Sequence, residues 1–261
     1  TKITALPYRK RLPPVPAHPP LSASDLNHVL SLTSTLWEEA RGQHFFLTGG
    51  SGFFGAWLVE SFLHANRNLD LRSTFTILLR DPSNFVRKNP HLADAPELIL
   101  SEGNFVDFSF PKGHFDYAVH AAVDYVSEPS APAKHSAAWA ELVFERNMQG
   151  TRRFLDFVQQ SGVRKFLFTS SGAVYGSPSG NHLCFHESDP FGPDPTCASS
   201  AYGEYKRAAE LLCVLRNRTG ISESKIARCF AFVGPRIEFG GESAITEFIA
   251  AMLDGNDIQI H

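Results

Sequence analysis

From His44 onward the chain alternates short apolar runs with longer amphipathic stretches. The apolar runs fall at 44–48 (HFFLT), 74–80 (TFTILLR), 97–101 (ELILS), 115–120 (FDYAVH), 165–170 (KFLFTS) and 225–233 (KIARCFAFV). Several are apolar nearly throughout, as strands buried on both faces of a parallel sheet require. Between them, about 53–65, 137–160, 200–217 and 243–253 carry apolar residues at helical spacing. The alternation predicts an α/β fold, a doubly wound parallel sheet with right-handed crossovers.

The first 43 residues read differently. Pro7, Pro13, Pro14, Pro16, Pro19 and Pro20 remove donors and fix the backbone too often for a regular helix or central strand. Residues 1–21 are therefore expected as an extended arm on the surface or on a partner subunit. From Ser22 to about Ala40, Leu26, Val29, Leu30, Thr33, Leu36 and Trp37 recur at helical spacing. Ser22 with Asp25 resembles a capping box, and Gly42 is a suitable stop. The expected organisation is an arm and lead-in helix (1–43), a nucleotide-binding domain (44–235) and the start of a small C-terminal lobe (236–261).

The chain has 261 residues, 43% hydrophobic and 20% charged, the composition of an ordinary globular protein able to bury a sizeable core. With 24 Lys plus Arg against 27 Asp plus Glu, the net charge of -3 argues against a nucleic-acid grip resting on bulk positive charge. No apolar stretch reaches the roughly 18–20 residues needed to span a bilayer, and the N-terminus lacks an apolar signal-peptide core. Cys184, Cys197, Cys213 and Cys229 show no metal-ligand spacing and read as reduced thiols of a cytoplasmic protein.

Candidate chemistry begins at Thr48-Gly49-Gly50-Ser51-Gly52-Phe53-Phe54-Gly55, which leaves the first strand and opens the first long helix. Gly49 permits a tight turn, Gly52 lets the backbone approach a pyrophosphate, and Gly55 lets helix and strand pack closely. N–H groups at the helix N-terminus then point at the phosphates. The position of this loop makes the domain Rossmann-type and predicts a dinucleotide. At the end of the second strand, where an acid normally holds the adenosine ribose, stand Leu79 and Arg80, followed by Asp81. Arg80 suits a 2′-phosphate and favours NADP over NAD; the alternatives are that it only stacks, or that Asp81 bends back to a ribose hydroxyl.

Tyr202 and Lys206 stand four apart, hence on one helix face. A phenol with an ordinary pKa near 10 acts as acid or base near neutrality only if lowered by about 3 units, on the order of 4 kcal/mol of nearby positive charge and hydrogen bonding. Ser171 ends a buried strand, where ligands bind in open α/β sheets; it can hydrogen-bond a reacting oxygen or simply cap the strand end.

Taken together, these residues resemble the extended short-chain dehydrogenase/reductases, the NAD-dependent epimerase/dehydratase group acting on nucleotide-linked sugars. The matching features are TGGSGFFG (48–55), His120-Ala121-Ala122, Asn147 with Gly150-Thr151, TSSGAVYG (169–176), Tyr202 with Lys206, and Arg228 with Gly234-Pro235-Arg236. The resemblance implies Tyr202 as catalytic acid/base, Lys206 on the nicotinamide ribose, and Ser171 orienting the substrate oxygen. It implies Ala121, Ala122 and Val123 along the cofactor together with the glycine-loop residues Phe53 and Phe54, and Asn104 and Phe105 beside the adenine. Asn147 would support the active-site helix and its water, and helices near 137–160 and 200–217 would form a homodimer seam.

The chain departs from the family pattern in three places. Family 4,6-dehydratases carry an Asp-Glu pair after the catalytic hydroxyl, where this chain has Gly172 and Ala173, so dehydration is disfavoured. Ala231 stands where many members have an Asn touching the substrate diphosphate, and members usually continue well beyond residue 261. The expected activity is an oxidoreductase or epimerase acting on a nucleotide sugar through a keto intermediate. The rivals are an NADPH-dependent ketone or aldehyde reductase and a non-catalytic NAD(P)-binding sensor or scaffold. His120 is expected as a packed, hydrogen-bonded side chain and the 22 Phe as core material. The 177–199 loop, with His182, His186 and Glu187, is expected as a substrate lid.

Overall fold

The computed structural model describes residues 17–125, 132–133, 135–177, 184–218, 220, 222–237 and 244–258. Six parallel strands, β1 (His44–Thr48), β2 (Thr74–Leu79), β3 (Leu98–Glu102), β4 (Tyr117–His120), β5 (Lys165–Ser171) and β6 (Glu223–Cys229), lie in the order β3-β2-β1-β4-β5-β6. The order reverses between β1 and β4, the doubly wound arrangement that the alternating pattern predicts. Thr48 pairs with Leu78 on one side and His120 on the other, so the strand ends form one rim.

The crossovers are α2 (Phe53–Asn68), α3 (Pro82–Lys88), α4 (Ala137–Gln160) and α5 (Ala201–Asn217), after a lead-in helix α1 (Ala23–Thr33) and before α6 (Ala244–Asp254). They enclose two apolar layers. One centres on Phe157, whose ring lies 4.2 Å from Phe46 and 5.2 Å from Phe115. The other joins Phe62 of α2 to Phe75 of β2, stacked at 4.7 Å.

Three expectations need correction. The lead-in is broken: α1 ends at Thr33 and a separate 3-10 turn covers Leu36–Ala40. Thr33 turns its hydroxyl back to the Val29 carbonyl (2.7 Å) and Ser31 to that of His28 (2.7 Å), competition that weakens helices. Leu36 is consequently 69% exposed, while Ser22 caps α1 through the Ser24 N–H rather than that of Asp25. The last apolar run does not stay in the sheet, since β6 ends at Cys229. That end also corrects the reading of every Phe as core, because Phe230 and Phe232 lie 59% and 42% exposed.

Gly42, expected as the stop of the lead-in, has φ +70 and stands just past the 3-10 turn that ends at Ala40. Most of the proline arm, residues 1–16, lies outside the described residues; its end lies against the domain, His18 N–H bonding to the Lys88 carbonyl (2.7 Å) and Leu21 N–H to Glu60 Oε2 (2.7 Å). No helix among the described residues is long and apolar enough to cross a membrane.

Candidate active site

A cleft of about 680 Å³ opens over the rim where the strand order reverses, the size and place of a ligand site in an open α/β sheet. The glycine loop forms its floor. Gly49 has φ +82, and a Cβ there would stand 2.6 Å from the Ala121 carbonyl carbon and the Ala122 nitrogen, so the turn needs glycine twice over. Gly55 packs α2 onto the loop, where a Cβ would strike Gly50 at 2.5 Å. Gly52 differs: the nearest atom to its Cβ is the Gly49 oxygen at 3.6 Å, so the chain itself leaves room there. Gly50, which the motif does not single out, is also required, because a side chain would collide with Ile77 Cγ2.

No side chain caps α2 and no acid occupies its first turn. The Phe53 and Phe54 N–H groups at the cleft are therefore available to an anion, with the helix dipole behind them. An uncapped 16-residue helix behind an open glycine floor fits a dinucleotide pyrophosphate.

Most of the expected cofactor residues meet in this cleft: Gly49, Gly52, Phe53 and Phe54 from the loop, Arg80 after β2, Phe105 after β3, and Ala121, Ala122 and Val123 after β4. Gly55 supports the floor from beneath. Arg80 is exposed and pairs with no described residue. Asp81 instead caps α3, its Oδ1 accepting the Asn84 N–H (2.8 Å), an engagement that tells against its bending back to a ribose.

Asn104, expected beside the adenine, stands between two residues of the cleft lining, Gly103 and Phe105. Its Oδ1 accepts the Val106 N–H (3.2 Å) and its carbonyl those of Asp107 and Phe108, a tight turn that engages the amide oxygen. Phe105 is 8% exposed and packs so closely on α4 that a Cβ at Gly150 would strike its ring.

At the other end of the cleft Ser171, Tyr202 and Lys206 come together. The Ser171 oxygen accepts the Ala173 N–H (3.1 Å) and its hydroxyl neighbours that of Tyr202. Gly203 lets α5 approach, since a Cβ there would stand 2.7 Å from the Ala173 oxygen. Lys206 is 1% exposed; its Nζ donates to the Thr169 carbonyl (2.6 Å) and lies 5.7 Å from the Tyr202 ring centre. Burial lowers Lys206 to about 8 and raises Tyr202 above the ordinary phenol value.

His120 is structural. It is 1% exposed, stacked on Phe154 at 4.7 Å and bonded through Nδ1 to Thr48 Oγ1 (2.7 Å), and burial lowers it to about 3, so it is neutral. Asn147, expected to support the active-site helix and its water, is fully buried and bonded to backbone. Its Nδ2 donates to the carbonyls of Asp124 (2.8 Å) and Val143 (2.7 Å), and its Oδ1 accepts the Asp124 N–H (2.9 Å).

A second network, to which the motifs contribute Ser170, Tyr175 and Arg228, fastens α5 to the sheet. Arg228 pairs with Glu210 (2.8 Å), donates to Tyr175 (2.9 Å) and holds the Glu187 carbonyl (3.0 Å), while Ser170 donates to Glu210 (2.5 Å). The Glu187 contact ties the expected lid to this network; His182 lies outside the described residues. Sequence reasoning also passed over Asp124, Tyr125, Cys229 and Phe230 in the cleft lining.

Comparison with known proteins adds independent findings. The family model described as "NAD dependent epimerase/dehydratase family" matches residues 45–261. The chain is 26% identical over 230 residues to a dTDP-glucose 4,6-dehydratase of Streptomyces griseus, covering 84% of this chain and 62% of that protein. It is 26% identical over 221 residues to UDP-glucuronic acid decarboxylase 4 of Arabidopsis thaliana, covering 82% and 45%. The structure of a UDP-N-acetylglucosamine 4-epimerase from Methanobrevibacter ruminantium M1, in complex with UDP-N-acetylmuramic acid, superposes with a TM-score of 0.66 at 23% identity, covering 83% of this chain and 64% of that one, a likeness of fold. The chain thus spans less than two thirds of the length of each of these proteins.

Proposed function

The chain belongs to the NAD-dependent epimerase/dehydratase family, and on that premise we propose that its cleft binds NAD(P) and a nucleotide-linked sugar and supports Tyr202-assisted hydride transfer through a keto intermediate. One observation carries the reading: an uncapped helix N-terminus over a glycine floor shares a cleft with Ser171, Tyr202 and Lys206. The Phe53 and Phe54 N–H groups take the pyrophosphate, and Ala121, Ala122 and Val123 leave room for the dinucleotide. When bound, the cofactor supplies a hydride acceptor and, oxidised, a positive charge beside Tyr202. Tyr202 takes the proton of the sugar hydroxyl being oxidised and returns it, while Ser171 holds the same oxygen. Lys206 favours the phenolate and reaches the nicotinamide ribose.

Gly172 supports an epimerase or oxidoreductase over a dehydratase. A Cβ at Gly172 would stand 2.6 Å from the Phe230 ring, so the carboxylate that eliminates water has no place there unless Phe230 moves. Arg80, exposed and paired with no described residue, supports a 2′-phosphate and hence NADP. Arg80→Ala should shift the NADP:NAD ratio of binding constants by about tenfold towards NAD; an unchanged ratio refutes that role.

Arg80 and the exposed Phe230 at the cleft also favour a second reading, an NADPH-dependent reductase of a less polar carbonyl. We read residues 236–261 as the start of the substrate lobe. Exposed Leu211, Val214 and Leu215 on α5 support a homodimer seam, and four free cysteines suit a reducing cytoplasm. Product analysis tests the primary reading, with the protein incubated with NAD or NADP and a panel of UDP- and dTDP-hexoses. A sugar nucleotide isomerised at unchanged mass is the expected result. Consumption of NADPH on ketones alone, with every sugar untouched, would overturn it.

A further inference from the structure

The segment after β6 runs along one face of α2. Phe53, Trp57 and Glu60 stand at i, i+4 and i+7 and so share that face. Phe232 lies against the rings of Phe53 (6.3 Å) and Phe54 (4.8 Å), and the Pro235 carbonyl accepts the Trp57 indole N–H (3.1 Å). Arg236 then pairs with Glu60 (2.6 Å) across 176 positions of sequence, the two side chains 6% and 5% exposed. Arg236 has φ +76, a left-handed conformation that costs a non-glycine residue energy and persists only where its surroundings enforce it. Its side chain is held firmly: Nη1 donates to Asn89 Oδ1 (3.0 Å) while Nη2 meets Glu60 Oε1. Glu60 is held equally, its Oε2 accepting the Leu21 N–H (2.7 Å) and its Oε1 standing 3.2 Å from His91. Arg236 and Asn89 also line a small space directly behind Gly50, Ser51 and Gly52 of the glycine loop.

We propose that Arg236 is a positioning residue for the dinucleotide floor: clasped to Glu60, it holds the segment after β6 along α2, and that segment steadies the turn whose N–H groups take the pyrophosphate. The inference deepens the reading of the cleft given above and rests on it. The first turn of α2 has no side-chain cap among the described residues, so packing from outside has to steady it, and Phe232 supplies that packing on the Phe53 and Phe54 rings. The same segment begins with Phe230, which lines the cleft. One buried ion pair thus registers both the cofactor floor and the Phe230 wall on a single helix.

The test follows the three Trp indole N–H groups by proton–nitrogen NMR and measures affinity by calorimetry, with NAD or NADP, whichever wild type binds more tightly. Trp57→Phe assigns the Trp57 signal; the indoles of Trp37, bonded to Thr33, and Trp139, bonded to the Tyr125 carbonyl, are internal controls. The variants are Glu60→Gln, Arg236→Lys and the double Glu60→Gln/Arg236→Met, which leaves no lone buried charge and so keeps the test readable if a single variant fails to fold. In Glu60→Gln and the double variant the Trp57 indole should exchange with water about tenfold faster or more, with Trp37 and Trp139 unchanged. Dinucleotide binding should weaken about tenfold. Arg236→Lys, which keeps the charge, should fall between these variants and wild type. The proposal is overturned if the folded variants bind the dinucleotide within about twofold of wild type, whether or not the Trp57 signal moves, or if binding weakens while that signal stays put. Wild type binding neither dinucleotide would instead remove the reading of the loop, and the positioning role with it.

Discussion

Lys206 is held almost entirely out of water, 1% exposed, with the Thr169 carbonyl accepting from Nζ and burial lowering it from 10.5 to about 8. That difference corresponds to about 3 kcal/mol that the folded state gives up to keep the ammonium charged. The unfolded chain keeps its proton to the ordinary lysine value while the folded chain releases it near 8. The penalty is therefore full below about pH 8 and is relieved as pH rises towards 10.5. Lys206→Met removes the penalty and also the bond to Thr169, worth about 1–3 kcal/mol. The variant should accordingly be as stable as wild type near neutrality, or more stable by up to about 2 kcal/mol.

The assay is urea unfolding monitored by circular dichroism from about pH 7 to 10.5 on both proteins, other titrations cancelling in the difference. Wild type should gain about 3 kcal/mol on Lys206→Met across that range, while the variant loses turnover by a factor on the order of 10²–10⁴. A stability difference that does not change with pH refutes the reasoning, as does a variant several kcal/mol weaker at neutrality. Either result would mean that Lys206 is buried for packing and not at a cost borne for chemistry.

Two other perturbations separate ligand from fold. Gly52→Val, whose first added carbon meets nothing nearer than 3.6 Å, should keep the melting stability within about 1 kcal/mol yet weaken NAD binding by about tenfold or more; calorimetry showing wild-type affinity would remove the pyrophosphate from this floor. His120, lowered to about 3 by burial, takes up a proton only on unfolding, so stability present above about pH 6.5 is lost as pH falls towards 3, at about 1.4 kcal/mol per pH unit. His120→Asn should flatten that part of the pH–stability curve, and an unchanged slope would assign the acid sensitivity elsewhere.

The features legible in the sequence are those set by local contacts. The strands of the doubly wound sheet announce themselves because burial on both faces demands continuous apolar runs such as HFFLT. The glycine loop is legible because its constraints, a positive φ at Gly49 and close packing at Gly55, act within eight residues. Tyr202 and Lys206 share a face by helical spacing alone.

The same patterns mislead where tertiary context decides. Phe230 and Phe232 continue the apolar run of β6, and nothing local marks Cys229 as its last paired residue. The turn that engages the Asn104 amide oxygen is likewise invisible in the sequence. Tyr125 had no motif to announce it; it joins the cleft through contacts distant in sequence, the Trp139 indole on its carbonyl and the Tyr202 ring beside its own. The Ser170–Glu210–Arg228 network is equally non-local, joining two strands to α5.

Tyr202 as the proton carrier for hydride transfer is the claim on which the proposed chemistry stands or falls. The most direct test mixes NAD-loaded protein rapidly with the nucleotide sugar it converts and records nicotinamide absorbance through one turnover, in wild type and Tyr202→Phe. Wild type should show reduced nicotinamide appear, and Tyr202→Phe should form it slower by a factor on the order of 10²–10⁴ with cofactor affinity unchanged. Reduced nicotinamide appearing at the wild-type rate in Tyr202→Phe would contradict the central claim.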